Sequence, residues 1–310
     1  MDLRNLRYIL EAAQQKNITK AAELLHMAQP TLSKIIKGME NELGVTLFDR
    51  SGKNVTLTDS GRAAIEQMKI IVNAVDDLYR KLEDISNLQT GIIKIGLPPV
   101  VSSVFFPRIA ANFQKQYPNI EFQIVEEGAK RVEKLIMEGH IDLGVVVAPI
   151  DSDSFETVSL VEQQLALIIH KTHRLAGRDQ VSIAELSAEP YIVFPKGFAV
   201  RELIMKACHT AGFEPKILYE SSQWDLLAEM VAENLGITIM PEAVCRKITN
   251  NNVKMLSINN PVIPWQLVII WKKGRYISHA MKQFMKLAIL SYPDNDTPFS
   301  RGRELPLRQA

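Results

Sequence analysis

A proline in the middle of helical sequence sets the first constraint. The stretch "ITKAAELLHMAQPTLSKIIKGMENELG" (18–44) carries apolar residues at helical spacing on both sides of Pro30. Inside a helix a proline removes one backbone hydrogen bond and clashes with the preceding turn. In a first turn it costs nothing, because the N–H there has no partner anyway. Two helices joined by the short turn His26-Met27-Ala28 therefore fit better than one kinked helix. The second ends at Gly44, a suitable left-handed C′ residue. Upstream, Leu3, Leu6, Ile9, Leu10 and Ala13 mark another amphipathic helix. Asn17 or Thr19 can cap the helix between. Downstream, "VTLFDRSGKNVTLT" (45–58) gives two short β-like runs around "SGKN", a small hairpin beside three helices.

A tight pair of helices like this is a helix-turn-helix, which presents the first turn of its second helix to base edges in the major groove. That explains why the residues around Pro30 are small and polar. Gln29, Thr31, Ser33 and Lys34 lie in the first turn, while Leu32, Ile35, Ile36 and Met39 face the other way. Glutamine pairs bidentately with adenine, and lysine reaches guanine acceptors or phosphate. Thr31, Ser33 and Lys37 suit phosphate contacts, which fix register. Arg50 and Lys53, at the hairpin tip, would meet phosphate or the minor groove. Taken singly, Lys37 or Lys53 is an ordinary solvated lysine. Together they form a basic set around one reading turn. The expected partner is double-stranded DNA.

Charge balance adds little. The whole chain is at +1, and residues 1–62 hold nine Lys or Arg against seven Asp or Glu. Any attraction to nucleic acid must be local.

Thr58 reads as the N-cap of a long helix over 59–88. Its seam is Ile65, Met68, Val72, Val75, Leu78 or Tyr79, Leu82 and Ile85, spaced alternately by three and four. Such a helix is too long and one-sided to stand alone. A partner helix from a second subunit fits; packing onto its own chain is the alternative. "NLQTG" (87–91) is a polar linker.

The chain then becomes α/β. Strands at 92–97, 120–127 and 141–147 alternate with helices at 100–118 and 130–140. A second unit has strands at 165–170, 191–194, 215–221 and 236–241, with helices at 182–186, 198–211 and 223–234. A strand at 265–271 and a helix at 276–290 close the pattern. The alternation predicts a mostly parallel sheet with helices on both faces.

The two cysteines, Cys208 and Cys245, form no CxxC pair, which fits a reducing cytoplasm. The segment "MDLRNLRYILEAAQQ" has no apolar core of a signal peptide, and no apolar run approaches the roughly 18 residues of a membrane span. The sequence holds no GxSxG, GxxxxGK[ST], Rossmann GxGxxG or HExxH motif. The expectation is a cytoplasmic protein that is neither an enzyme nor a cofactor carrier.

The runs "AAELLHMAQPTLSKIIKGMENELGVTLFDR" and "VTLTDSGR" closely resemble the LysR-type transcriptional regulators, and the resemblance extends over almost the whole chain. It implies an α/β fold class with an N-terminal all-α winged helix-turn-helix. A long linker helix and a pair of α/β subdomains like those of periplasmic solute-binding proteins follow. It also implies dimers or dimers of dimers, and a small-molecule effector that alters promoter binding or DNA bending. The boundaries are then 1–58 for the DNA-binding domain and 59–88 for the dimerisation helix. Residues 89–161 with 265–293 form subdomain 1 and 162–264 subdomain 2, with a disordered tail at 294–310. Ala28 stands where the family usually has Ser, and Lys34 where Arg is common, exchanging a planar fork for a point charge.

The effector cleft is expected where two α/β units leave a crevice at strand C-termini, ringed by helix N-termini that bind anions. Its candidate lining is Pro99, Val100, Ser102, Ser103, Gly128, Ala129, Lys196, Arg201, Ser222 and Gln223. Val100 and Ala129 occupy places where the family often presents a hydroxyl. Lys196 and Arg201 are possible counter-charges for a carboxylate, and Ser222 doubles as an N-cap. Trp224 reads as core. A small organic acid is the expected ligand. A redox-sensing regulator using Cys208 and Cys245 is one alternative, although Cys208 sits in an apolar helix and reads as a buried thiol. A small-molecule receptor without DNA function is the other; it leaves residues 1–90 unexplained.

Overall fold

The computed structural model describes residues 2–49, 55–85 and 91–292. The chain divides into two compact units, 1–87 and 88–310.

The first unit begins with α1 (Leu3–Gln15), whose N-cap Asp2 accepts from the Arg4 N–H at 3.0 Å. Next comes α2 (Ile18–Leu24), capped by Asn17, which accepts from the Lys20 N–H at 3.1 Å. His26, at φ +52°, turns the chain into α3 (Gln29–Leu43), which stops at the left-handed Gly44. Strands β1 (Phe48–Asp49) and β2 (Thr56–Leu57) pair antiparallel. The residues between them that were expected to bear a basic tip, Arg50 and Lys53, lie outside the described residues.

Two side chains tie the hairpin to the helices. Glu40 Oε1, on α3, accepts from the Leu47 and Phe48 N–H groups at 2.8 and 3.2 Å. Thr58 Oγ1 donates to the Thr46 carbonyl at 2.6 Å and accepts from the Gly61 N–H at 2.9 Å, capping α4 (Asp59–Ile85).

The expected α4 seam divides into two parts. Ile65, Met68 and Val72 are buried with Leu6, Ile9, Leu32, Ile36 and Leu47 in the core of their own unit. Three short helices cannot enclose a core without a fourth wall, so the first half of the seam packs within the chain. Val75 is half-buried, and Leu78, Tyr79 and Leu82 are exposed, as are Ile70 and Ile71 outside the expected seam. The unpartnered apolar surface therefore lies further along the helix than the sequence reading placed it, and the Ile85 side chain lies outside the described residues.

The second unit runs β3 (Gly91–Leu97), α5 (Pro99–Val104), α6 (Phe106–Gln116), β4 (Ile120–Glu126), α7 (Ala129–Met137) and β5 (Leu143–Val147). Then come β6 (Phe155–His170), β7 (Gln180–Ser182), a 3-10 turn (Ile183–Leu186), β8 (Pro190–Val193), α8 (Ala199–Thr210), β9 (Lys216–Glu220) and α9 (Trp224–Ala232). The unit closes with β10 (Thr238–Pro241), α10 (Glu242–Cys245), β11 (Val253–Asn260), β12 (Pro264–Lys272) and α11 (His279–Leu290). The main sheet has the order β4-β3-β5-β12-β6-β11-β7, with β10 also on β6; β8 and β9 pair in parallel beside it.

Three sequence expectations change. The sheet expected to be mostly parallel is mixed. Strand β3 pairs in parallel with β4 and β5, and β11 with β7, but β12 runs antiparallel to β5 and β6, and β6 antiparallel to β10 and β11, because the two strands that link the halves run against their neighbours. The helix expected over 100–118 is two helices meeting at Phe105. Pro107 falls in the first turn of α6, where it lacks the N–H that would have continued α5. The helix at 182–186 is a single 3-10 turn closed by a Ser182–Glu185 capping box. Near residue 162, the expected boundary between the halves, the connection is a strand. Strand β6 is continuous for 16 residues; it pairs antiparallel with β12 over 155–164 and with β10 and β11 beyond. It therefore passes through both halves of the unit. No helix among the described residues is long and apolar enough to cross a membrane.

Gly61 sits where the hairpin meets α4, and a Cβ there would overlap the Leu47 carbonyl oxygen. Backbone cannot yield as a side chain does, so Gly61→Ala should destabilise this unit by about 1–3 kcal/mol. Urea unfolding followed by circular dichroism measures it; an unchanged midpoint would contradict the packing described.

Candidate DNA-reading helix and effector cleft

The start of α3 carries no side-chain cap. Ala28 holds the extended N-cap conformation but has no hydroxyl, and Pro30 lies in the first turn. Gln29, Pro30, Thr31, Lys34 and Lys37 are exposed, Ser33 is half-buried, and Leu32, Ile36 and Met39 are buried on the opposite face. One face of a 3.6-residue helix thus holds the core while the other offers donors and acceptors. Gln29 Nε2 donates to Ser33 Oγ at 2.9 Å. This bond uses one N–H of the amide and leaves its second N–H and its carbonyl oxygen unused, the pair that matches an adenine edge.

In the second unit, three helix starts converge without side-chain caps: Gly128 before α7, Phe198 before α8 and Gln223 before α9. One contact brings the starts of α7 and α8 together, and a second ties the start of α9 to α5. A Cβ built on Gly128 would lie 3.6 Å from the Gly197 carbonyl oxygen. Trp224 Nε1, at the first position of α9, donates to Ser103 Oγ on α5 at 3.0 Å. The parallel pairing of β8 and β9 sets α8 beside α9. Free N–H groups at helix starts carry partial positive charge.

The individual candidates fare differently. Pro99 opens α5 and Val100 is buried in the core. Both serine hydroxyls are already engaged. Ser102 donates to the Glu126 carboxylate and also lies 3.0 Å from the Pro99 carbonyl; Ser103 donates to that carbonyl at 2.8 Å while accepting from Trp224. Gly128 and Ala129 form the start of α7, and Ala129 packs partly against apolar neighbours. Lys196 is exposed. Arg201 is 6% exposed, and its Nη1 donates to the Phe194 carbonyl at 3.0 Å and to Glu220 Oε1 at 2.7 Å. It clasps the ends of β8 and β9 instead of standing free as a counter-charge. Ser222 is not the N-cap of α9; Gln223 is, and its N–H donates to Ser221 Oγ at 3.1 Å.

Sequence reasoning missed Glu126 and Glu220 as partners; Trp224 packs partly buried against the core as expected, and its Nε1 also reaches Ser103. The strand-ending positions of the two acids were the available signal.

Both cysteines are buried. Cys208 Sγ lies 3.8 Å from the Tyr191 hydroxyl and Cys245 Sγ 3.6 Å from the Met240 carbonyl. Burial pushes both thiols up, away from the reactive thiolate. Among the described residues no group of three His, Cys, Asp or Glu could hold a metal.

An exposed reading turn in one unit and a two-lobed sheet with converging helix starts in the other define a DNA-binding regulator with a ligand-binding domain. The chain belongs to the LysR family. Residues 3–62 match the bacterial regulatory helix-turn-helix protein, lysR family, and residues 86–289 match the LysR substrate binding domain. The HTH-type transcriptional regulator YwbI of Bacillus subtilis is 44% identical over 286 residues, covering 92% of this chain and 95% of the relative. The transcriptional dual regulator GltC of the same organism is 28% identical, covering 93% and 97%. Among solved structures, a full-length OxyR variant from Pseudomonas aeruginosa shares the fold with a TM-score of 0.73 at 23% identity, covering 94% of each chain. CbnR complexed with its target DNA has a TM-score of 0.64 at 19% identity, covering 94% of this chain and 100% of that one. The family consists of transcriptional regulators, not enzymes.

Proposed function

We propose that this regulator acts in the cytoplasm as a homodimer or dimer of dimers, and that it reads its operator with the first turn of α3. Gln29 pairs with an adenine edge and Lys34 with guanine acceptors or phosphate. Pro30 lets the backbone approach, while Thr31, Ser33 and Lys37 contact phosphate; Arg50 and Lys53 add groove or phosphate contacts from the wing. The Gln29–Ser33 bond carries this reading, because it uses one N–H of the amide and leaves the pair that would face a base. The exposed residues Ile71, Leu78 and Leu82 of α4 supply the face for a second copy.

The cleft takes a small carboxylate. The three uncapped helix starts carry that half, since they supply N–H groups suited to an anion where the serines and Arg201 are already engaged. The ligand works by binding one arrangement of the two lobes better than the other, which is the only way it can shift promoter binding or DNA bending.

Gln29→Ala should weaken binding to a duplex enriched from a random pool by about 1–3 kcal/mol. Binding to a scrambled duplex of equal length should be nearly unchanged. Gel shifts across salt concentrations test this, and equal loss on both duplexes would show that Gln29 does not read a base. For the cleft, calorimetry with small carboxylates and their uncharged amides should give heat with an acid and none with its amide. Equal heats from both would remove the anion reading.

A further inference from the structure

Away from the cleft, the second unit holds a cavity of about 710 Å³, walled by residues 148–152, the start of β6, β12 and the last turns of α11. That volume falls within the range of small-molecule sites. Its apolar lining includes Ile150, Phe155, Val158, Val268, Ile289 and Leu290, of which Phe155, Val158 and Val268 form the floor. Over 155–164, β6 pairs with β12 on one side, and no strand among the described residues takes the other. The Phe155 N–H is taken by the Asp151 carbonyl at 3.2 Å, so the main chain of residues 156–159 is what brings outward N–H and C=O groups to the cavity rim.

Two opposite charges line the same cavity from different elements, Glu156 on β6 and Lys286 on α11. Neither is held in a side-chain ion pair or hydrogen bond among the described residues. One free acid, one free base and an apolar wall form the complement of a zwitterion bearing an apolar side chain. We propose that this cavity is a second ligand site, taking an apolar α-amino acid. Its carboxylate meets Lys286, its ammonium meets Glu156 and an outward carbonyl of β6, and its side chain lies on Phe155, Val158 and Val268.

The cavity adjoins the crossing between the two halves of the unit. Gln266, which lines it, donates through Nε2 to Glu162 Oε1 at 3.0 Å and to Ser159 Oγ at 3.2 Å. Ser159 in turn donates to Glu162 Oε1 at 3.1 Å. Glu162 lies close to where β6 leaves β12 and begins to pair with β10 and β11. A ligand touching Ser159 and Gln266 thus acts on the strands that join the lobes, and it is coupled to any cleft ligand that distinguishes two lobe arrangements. The inference does not depend on the carboxylate reading of the cleft.

Calorimetry on the full chain tests it with leucine, methionine and phenylalanine, each beside the amine lacking its carboxylate and the acid lacking its amino group. At least one amino acid should bind, with both single-charge analogues weaker by about tenfold or more. Glu156→Gln and Lys286→Met lie at the surface and should keep the melting temperature, yet each should weaken that amino acid by about tenfold. Three results would overturn the proposal: no binding by any of the three, equal binding of an analogue, or affinities unmoved by both substitutions. A change of sedimentation in the variants with ligand affinity unaltered would assign the groove to a second copy and overturn it equally.

Discussion

Every helix begins with N–H groups that no residue of the same helix can satisfy. How this chain treats them divides its helices into two sorts. Asp2, Asn17, Thr58 and Ser278 supply side-chain acceptors at the starts of α1, α2, α4 and α11. At α3, α7, α8 and α9 the N-caps are Ala28, Gly128, Phe198 and Gln223, and none of these side chains caps its helix; in the first turn of α9 the Asp225 carboxylate accepts from the Leu226 N–H at 3.0 Å, leaving the other starting N–H groups open. The capped helices close cores, whereas the uncapped ones open where DNA and ligand are proposed to sit. Helices α5 and α6 are also uncapped and, like α3, carry a proline in the first turn and so have fewer donors to satisfy; at α10 the Gln163 side chain accepts from the Ala243 N–H at 3.1 Å.

A second constraint concerns how the ligand-binding unit is joined. Strand β6 enters one half-sheet beside β12 and leaves through the other beside β10 and β11, so a rigid element replaces a flexible connection. Lobe movements must then be accommodated by changes of twist near Leu160, where the register with β12 shifts. Ser103 and Trp224 bridge the lobes at the cleft, and the Gln266–Ser159–Glu162 cluster lies by the crossing strands. A ligand that replaces the first or presses on the second would change the same geometry.

Local pattern made much of this legible. Gly44 and the polar face of α3 followed from helical periodicity and turn chemistry, because each depends on residues within a few positions. The α/β alternation and the terminal helix were visible for the same reason. What depends on distant partners was not. The burial of Ile65, Met68 and Val72 is decided by Leu6 and Ile9 on α1, far away in sequence. Arg201 looked free until Glu220, 19 residues on, was placed beside it, and Trp224 meets Ser103 across 121 residues. Strand β11 escaped notice because its buried Leu256 and Ile258 alternate with polar residues in a run too short to register. The first half of β6 was hidden by its many polar side chains.

The account stands most directly on the claim that uncapped helix starts in the cleft await an anion. Gln223 already has the extended conformation of an N-cap, so Gln223→Asp would place a carboxylate at the cap itself, in addition to Asp225, which holds the Leu226 N–H in the first turn of α9. Thermal unfolding with and without a binding carboxylate is the measurement. The account predicts that Gln223→Asp raises the melting temperature of the free protein, by the equivalent of about 1 kcal/mol, and abolishes the further rise given by the ligand. A variant stabilised alone but still fully responsive to the carboxylate would contradict it.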